Sequence, residues 1–439
     1  LSPDRRRLLD RGLEGLVVAG VDPAVAEALG DYLESGADPE VARIRPLALA
    51  ARLGLDPDEV VKACLHGANE GLLVLMWDLL CPVCRISSEI QDTLRAIRDH
   101  GHCEACNLDF ELDFAGSVEL IFRAHPQIRE ADTRTYCIGG PAHSPHVPAQ
   151  VRLAAGEVFE LELALGEGPY RLRGPQLPWS VDFHVVKGAA ARRWDIDLAR
   201  GPERGMPLEL APGAQDFLLR NDSTQELVVR VERAIPRTHV LSAAKASTLA
   251  LFRELFPSER LAPGQLVSIA TLTFLATDLD LPMSLYESLG DARAFALIHE
   301  HFQILGDAVR EGRGAIVKTI GEGVLAAFSE PVGAVRVGLE LQDRLRGGKN
   351  TRDLRVRVGL HHGPAMATTL DDRLDYFGAT VDQTLRLAHA ARGGDVVISR
   401  SLAGNVSVAE VLRSCHGSNE VIEIGVAGQP VAVRVSRVS

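Results

Sequence analysis

Apolar and polar positions follow three different rhythms along this chain. Between residues 147 and 233 they alternate in short runs: Val151–Leu153, Val158–Leu165, Tyr170–Leu172, Val181–Val186, Trp194–Leu198, Leu208–Leu210, Asp216–Asn221 and Glu226–Val231. Glycine and proline turns separate many of the runs, which is the pattern of an antiparallel β-sandwich. Residues 1–45 read as helical, punctuated by Asp-Pro turns at 22–23 and 38–39. Pro46–Arg52, a turn at Gly54-Leu55-Asp56-Pro57, Asp58–Asn69 and the run Val74–Asp78 then predict helix, turn, helix and strand, an order resembling a winged helix. From residue 268 the expected order is strand, helix, strand–turn–strand, helix, strand, helix, strand. There Phe295, Ile298, Phe302, Leu305 and Val309 mark one buried helical face. Ser284 and Glu287 have capping-box spacing ahead of that helix. Leu354–Leu360 alternates as a half-exposed strand. Ala243–Phe256, with Ala244, Thr248, Leu251 and Leu255 at helical spacing, predicts a connecting helix that either transmits a signal or acts as a spacer.

Composition narrows the classes. The formal charge of −12 argues against a general nucleic-acid binder or an anionic membrane surface. The second helix of the winged-helix-like segment carries Lys62 against Asp58 and Glu59, so contact with protein is expected of it rather than with DNA. No apolar run approaches the ~18 residues needed to span a bilayer. Arg5, Arg6 and Arg7 are followed by no apolar stretch, so no signal peptide is expected. Four of the seven cysteines form the pairs Cys81/Cys84 and Cys103/Cys106, with eighteen residues between the pairs. Four thiolates at that spacing can enclose a tetrahedral, structural Zn²⁺, and they suit a reducing cytoplasm better than a disulfide framework does. His100 and His102 beside the second pair, and His143 and His146, read as loop residues; Cys64, Cys137 and Cys415 read as isolated thiols. Tyr170, Trp179 and Phe183 read as sandwich core before ligand pocket.

The densest chemistry lies in residues 315–328, AIVKTIGEGVLAAF. Two short strands flank a Gly-Glu-Gly turn that presents Glu322, a hard-metal ligand type. Asp278 ends the apolar run Leu272–Thr277, and Arg373–Gly378 leads into a helix carrying Arg386. Two acids, Lys318 and Arg386 together suit a metal–triphosphate site.

Segments 271–295, 315–328, 354–363 and 373–387 resemble the catalytic domain of class III adenylate/guanylate cyclases, and the likeness covers roughly residues 268–438. The N-terminal half more loosely resembles the accessory region upstream of some bacterial cyclases. The resemblance implies a ferredoxin-like α/β fold and a two-metal (Mg²⁺ or Mn²⁺) conversion of ATP to 3′,5′-cyclic AMP and pyrophosphate. It implies Asp278 and Glu322 as metal ligands, Lys318 and Asp375 as the adenine-selecting pair, and Arg386 on the pentacovalent phosphate. It also implies a homodimer, with the acids from one protomer facing the other residues of its partner. Three positions depart from the family pattern. Leu281-Pro282-Met283 replaces a small loop whose amides wrap phosphate; Glu322 replaces an aspartate; Asp382 replaces an asparagine and can pair with Arg386.

The expected architecture is therefore multidomain α+β. Residues 1–80 are winged-helix-like, 81–146 a zinc ribbon and linker, 147–235 the sandwich, 236–266 the connector and 267–439 the cyclase domain. The expected function is weak adenylate cyclase activity. The alternative is a degenerate cyclase domain serving as a nucleotide-binding or dimerising module. A zinc-containing DNA-binding regulator is disfavoured by charge.

Overall fold

A computed structural model describes the chain except residues 83–84, 86, 104–107, 132–145, 175, 178, 202–206, 235–238, 280–289, 353, 415–416, 423–431 and 438–439. Helices α1 (Pro3–Val18), α2 (Pro23–Ser35), α3 (Asp38–Val41), α4 (Pro46–Leu53) and α5 (Pro57–Asn69) open the chain. Several start with an acid or serine cap followed by proline at the first helical position: Ser2 accepts from the Arg5 amide, Asp22 from Ala24, and Asp56 from Asp58 and Glu59. Strand β1 (Leu73–Leu80) pairs with β2 (Ser87–Gln91) on one side and β5 (Val118–Ala124) on the other. β3 (His100–Cys103) and β4 (Leu108–Glu111) form a separate two-stranded sheet.

The winged-helix expectation is corrected. The helix–turn–helix order is present, but α5 packs against α1, α2, α4, β1 and the connector, and buries Val60, Val61, Ala63, Cys64 and Leu65. Lys62 Nζ donates to the Gly20 carbonyl and pairs with Glu59 at 3.3 Å. A helix enclosed on several sides cannot enter a groove, and β1 is the centre of a sheet rather than one arm of a wing.

β6 (Ala149–Leu153), β7 (Val158–Leu165), β8 (Gly168–Arg173), β9 (Ser180–Val185), β10 (Arg193–Asp197), β11 (Glu209–Leu210), β12 (Gly213–Arg220) and β13 (Leu227–Arg233) follow. They build two sheets, ordered β11-β9-β8-β13-β6 and β10-β12-β7. Tyr170, Phe183, Trp194 and Phe217 fill the space between them, with Tyr170 and Phe183 stacked at 5.5 Å. These rings are core; Trp179 is half-buried and donates its indole N–H to the Leu198 carbonyl. Two pairings, β9–β11 and β10–β12, are parallel where antiparallel pairing was expected, because the chain switches sheets between them.

The connector forms two short helices, α6 (Ala243–Ser247) and α7 (Ala250–Leu255), rather than one. Thr248 interrupts it: its amide and hydroxyl both bond the Lys245 carbonyl, closing the first helix. Then come β14 (Val267–Leu279), α8 (Asp291–Glu311), β15 (Gly314–Ile320), β16 (Gly323–Phe328), α9 (Pro331–Gly347), β17 (Val356–Leu370), β18 (Arg373–Phe377), α10 (Ala379–Ala390) and β19 (Val396–Ser399). α11 (Arg400–Ala403), α12 (Val406–Ser414), β20 (Gly417–Ile422) and β21 (Ala432–Arg437) end the chain. The sheet order β15-β16-β14-β17-β19-β21-β20, with β18 paired to β17, contains the ferredoxin-like arrangement of β14, β15, β16 and β17.

The two faces of this sheet serve different cores. Leu275, Val324, Ala326, Val358 and Leu360 pack under α8 and α9. Phe274, Val317, Leu325, Leu374 and Tyr376 join one continuous core with the N-terminal helices, β1, β5 and the connector. The accessory half is thus fused to one face of the C-terminal sheet. A buried charge network closes the N-terminal side: Asp78 and Glu119 lie directly opposite each other on β1 and β5, and Arg45 reaches both, at 3.3 and 3.1 Å. No helix among the described residues is long and apolar enough to cross a membrane.

Candidate functional site

Asp278 sits at the end of β14, and Glu322 on the turn between β15 and β16. A glycine is required beside that turn. A Cβ on Gly323 would lie 1.9 Å from the Thr277 carbonyl oxygen, so only glycine lets the turn rest against the strand end that carries Asp278. The Val324 amide donates to Thr277 Oγ1 at 3.0 Å and fixes the same approach. Gly321, at φ +59°, makes the reversal. Asp278 Oδ2 accepts from Nη1 of its cross-strand neighbour Arg357 at 3.2 Å, a partner the sequence reading did not name.

His301 was also missed. It is fully buried on α8, and its Nε2 lies 3.2 Å from the Glu322 carbonyl oxygen. Burial pulls its pKa down to about 4, so at neutral pH the ring is uncharged and Nε2–H donates to the turn. Of the expected apolar stripe, Leu305 and Val309 are buried and Ile298 and Phe302 partly buried, and Phe295 alone of the five turns outward. Ala294, Leu297, His301, Leu305 and Ala308 face inward, while Phe295 is 72% exposed and stacks on His299. The inward face therefore takes in His301, which a search for apolar letters passes over. Ser284, Glu287 and the Leu281-Pro282-Met283 loop lie outside the described residues.

Lys318 and Asp375 come together. Nζ of the lysine lies 2.7 Å from Oδ2 of the aspartate, with the lysine about one-third exposed and the aspartate nearly buried. Asp375 Oδ1 accepts its neighbour's amide, Tyr376 N, at 2.7 Å. Its orientation is therefore fixed from both oxygens. A β-bulge at Val317 in β15 turns Lys318 toward its partner.

Arg386 and Asp382 pair along α10, Nε to Oδ2 at 2.8 Å, and both side chains are more than 60% exposed. The i,i+4 contact anticipated from the sequence is present. It occupies one edge of the guanidinium.

The cysteines divide. Cys81 and Cys103 are buried, whereas Cys84 and Cys106 lie outside the described residues. Among the described residues, three or more metal-ligating side chains do not gather at any point. His100 and His102 belong to strand β3 rather than a loop, and His102 contacts Asp109 at 2.7 Å. His146 is buried, against the expectation of a solvated loop residue, and His143 lies outside the described residues. Cys64 is fully buried, and burial pushes its thiol up to about 12, as befits an inert core thiol. Cys137 and Cys415 lie outside the described residues.

Comparison with known proteins separates the two halves. Residues 268–425 match the adenylate and guanylate cyclase catalytic domain. Residues 12–137 match a family of unknown function, DUF5939, rather than a winged helix. The uncharacterized protein Rv2212 of Mycobacterium tuberculosis is 32% identical over 125 residues, 28% of this chain and 32% of that protein. The uncharacterized protein Rv0891c of the same organism is 30% identical over 148 residues, 34% of this chain and 49% of that protein. The chain thus spans between about a third and a half of the length of these relatives. Among solved structures, the adenylyl cyclase CyaB from P. aeruginosa is 20% identical with a TM-score of 0.34, covering 40% of this chain and 97% of that one. The guanylyl cyclase Cya2 is 22% identical with a TM-score of 0.33, covering 40% and 95%. The C-terminal part of this chain is a class III nucleotide cyclase domain.

Proposed function

We propose that residues 268–425 convert ATP to 3′,5′-cyclic AMP and pyrophosphate, with low turnover, at the interface of a homodimer. The contact between Lys318 and Asp375 carries this reading. A lysine donates to an adenine ring nitrogen and a carboxylate accepts from the exocyclic amine, whereas guanine presents the opposite pattern at that edge. Asp278 and Glu322 are hard oxygen donors on adjacent elements, braced by Gly323 and His301. That donor set fits Mg²⁺ or Mn²⁺, which take one or two carboxylates together with substrate phosphates. Such metals, when bound, supply Lewis acidity to the triphosphate and to the attacking ribose 3′-hydroxyl. Arg386 would steady charge on the phosphorus once it is released from Asp382. In the homodimer the two acids of one protomer would face Lys318, Asp375 and Arg386 of its partner.

The test is product formation by the purified full chain with ATP or GTP and either metal. The expected outcome is cyclic AMP at least ~10-fold above cyclic GMP, with Mn²⁺ above Mg²⁺ because its geometry is less exacting. Equal use of both nucleotides rejects the assignment of the base-contacting pair. A second reading is favoured by the Arg386–Asp382 pair, which ties up the phosphate-facing cation: a degenerate cyclase domain that binds nucleotide or dimerises. ATP binding without product from any combination selects it.

The paired cysteine spacing, with Cys81 and Cys103 both buried, supports a structural Zn²⁺ held by Cys81, Cys84, Cys103 and Cys106 in a reducing, cytoplasmic setting. Metal analysis giving clearly less than one zinc per freshly purified chain sinks this site.

A further inference from the structure

Lys318 and Asp375 lie on strands that do not hydrogen-bond to each other. Among the described residues, β15 is the outermost strand of the sheet and β18 pairs only with β17. Two edges must be held at a fixed separation for the ion pair between them to persist. The sheet ladder does not do this, and one ion pair with a partly exposed lysine contributes little rigidity.

The connector supplies the missing tie. Nη2 of Arg253, on α7, donates to the Leu374 carbonyl at 2.5 Å and to the Val317 carbonyl at 3.5 Å. These are the residues immediately before Asp375 and Lys318. Val317 is the extra residue of the bulge in β15, whose ladder is interrupted there. Nη1 of the same guanidinium donates to the Ser247 carbonyl, at the end of α6, at 3.4 Å. Ser247 in turn accepts the Tyr376 hydroxyl on its Oγ at 2.7 Å, and Tyr376 is the residue immediately after Asp375. The base-contacting aspartate is therefore gripped from both sides in sequence by the connector, and the lysine from one side. Tyr376 is 2% exposed and Ser247 1%, so both anchors are shielded from competing water.

We propose that Arg253 is a positioning residue for nucleotide selection: its guanidinium ties the two strand edges that carry Lys318 and Asp375 and so sets the spacing of the base-contacting pair. The inference rests on the reading of that pair given above. It assigns the connector a role in the site itself, because any shift of α7 relative to the sheet moves both base contacts together. A planar, five-donor guanidinium suits this work, since it can meet carbonyls on three elements at once.

The experiment compares the full-length wild type with Arg253→Gln and with Ser247→Ala, which removes the Tyr376 anchor and leaves Arg253 in place. Amide hydrogen exchange is read in peptides covering 315–320 and 373–378, and the cyclic AMP to cyclic GMP ratio is read alongside. Arg253→Gln is expected to speed exchange in both segments about 10-fold relative to the sandwich strands, which serve as the internal reference. It is expected to lower the ATP-over-GTP preference about 10-fold, mainly through KM, as loss of uniform binding does. Ser247→Ala is expected to act more weakly, and on 373–378 alone. If Arg253→Gln does not fold, Arg253→Lys, which keeps the charge but loses the planar fork, decides by the same two readouts. Exchange at wild-type rates in both segments overturns the tie. So does a uniform rise across the whole chain, which would mark a merely structural loss. Faster exchange with an unchanged nucleotide preference overturns the role in selection. A wild type that makes neither cyclic nucleotide sinks the base-contacting reading and selection with it; the exchange data then decide the tie alone.

Discussion

The two ends of the candidate site each hold a cation against a carboxylate, and they are built in opposite ways. Lys318 and Asp375 meet across two strand edges, with the aspartate nearly buried, its second oxygen on a backbone amide, and the connector bonded to the residues beside both. Arg386 and Asp382 meet along one turn of α10, each more than 60% exposed, where water competes with every contact. A pair of the first kind is spaced by the fold around it, which under the proposed function would preorganise it to receive a base. The second costs little to break, so it can yield to a phosphate. It nevertheless lowers the fraction of Arg386 free to act, and it leaves a negative charge where the triphosphate would lie.

The comparison is tested hardest at its foundation. The N-terminal half shares a core with the sheet face behind Lys318 and Asp375, and the Arg45–Asp78–Glu119 network is that half's own closed charge cluster. Arg45→Met should cost about 3–5 kcal/mol by chemical denaturation, because it removes the guanidinium that bridges two buried carboxylates on paired strands and leaves only the longer contact of Arg43 with Asp78, at 3.7 Å, among the described cations there. A loss under about 1 kcal/mol would mean that water or rearrangement relieves them, and that this half is softer than its burial implies.

Next comes the rigid end. Lys318→Ala strands a nearly buried carboxylate and removes one base contact, so kcat/KM for ATP should fall about 100-fold. A smaller loss for ATP than for GTP would reverse the assignment of the pair. The loose end should respond in the opposite sense. Asp382→Asn keeps the shape and removes the charge, so cyclic AMP output should rise about 10-fold, with a change in stability of less than about 0.5 kcal/mol. Lower activity in this variant would show that Asp382 serves the reaction rather than hindering it.

The smallest effect concerns pH. Burial holds His361 and His362 below the ordinary histidine range, with His361 on Ser399 and His362 on Thr273. The unfolded chain therefore takes up their protons first as pH falls. Their contribution to stability is complete above about pH 6.5 and declines below it. Replacing both with glutamine should flatten the fall in unfolding midpoint between pH 7 and 5. An unchanged slope would assign that fall to other groups.

Sequence and fold divide cleanly along these lines. The strands of the sandwich were legible because alternation is a local signal, and Val158–Leu165 is the strand the pattern predicts. The resemblance of the C-terminal domain was legible because its short strings occur in order, and its Gly-Glu-Gly reversal is a local signal, whereas the need for glycine at 323 comes from the Thr277 carbonyl of another strand. The i,i+4 pairing of Asp382 and Arg386 followed from helical geometry alone. What the sequence did not determine is everything that depends on which face meets which neighbour. The stripe on α8 was read correctly at Leu305 and Val309 but left out His301, because an uncharged, buried histidine looks polar in a string of letters. The second helix of the N-terminal segment reads as part of a winged helix making protein contacts until α1, α2 and the connector are seen around it. Arg253 and Ser247 carry no motif, and Tyr376 sits in a matched segment that gives it no role of its own. They acquire a role because the connector breaks at Thr248 and lays its two short helices against a sheet edge more than 60 residues further along the chain. Local periodicity is set by bonds between near neighbours and can be read from order. Contacts across such distances are set by the packing of whole surfaces, and only the folded chain reveals them.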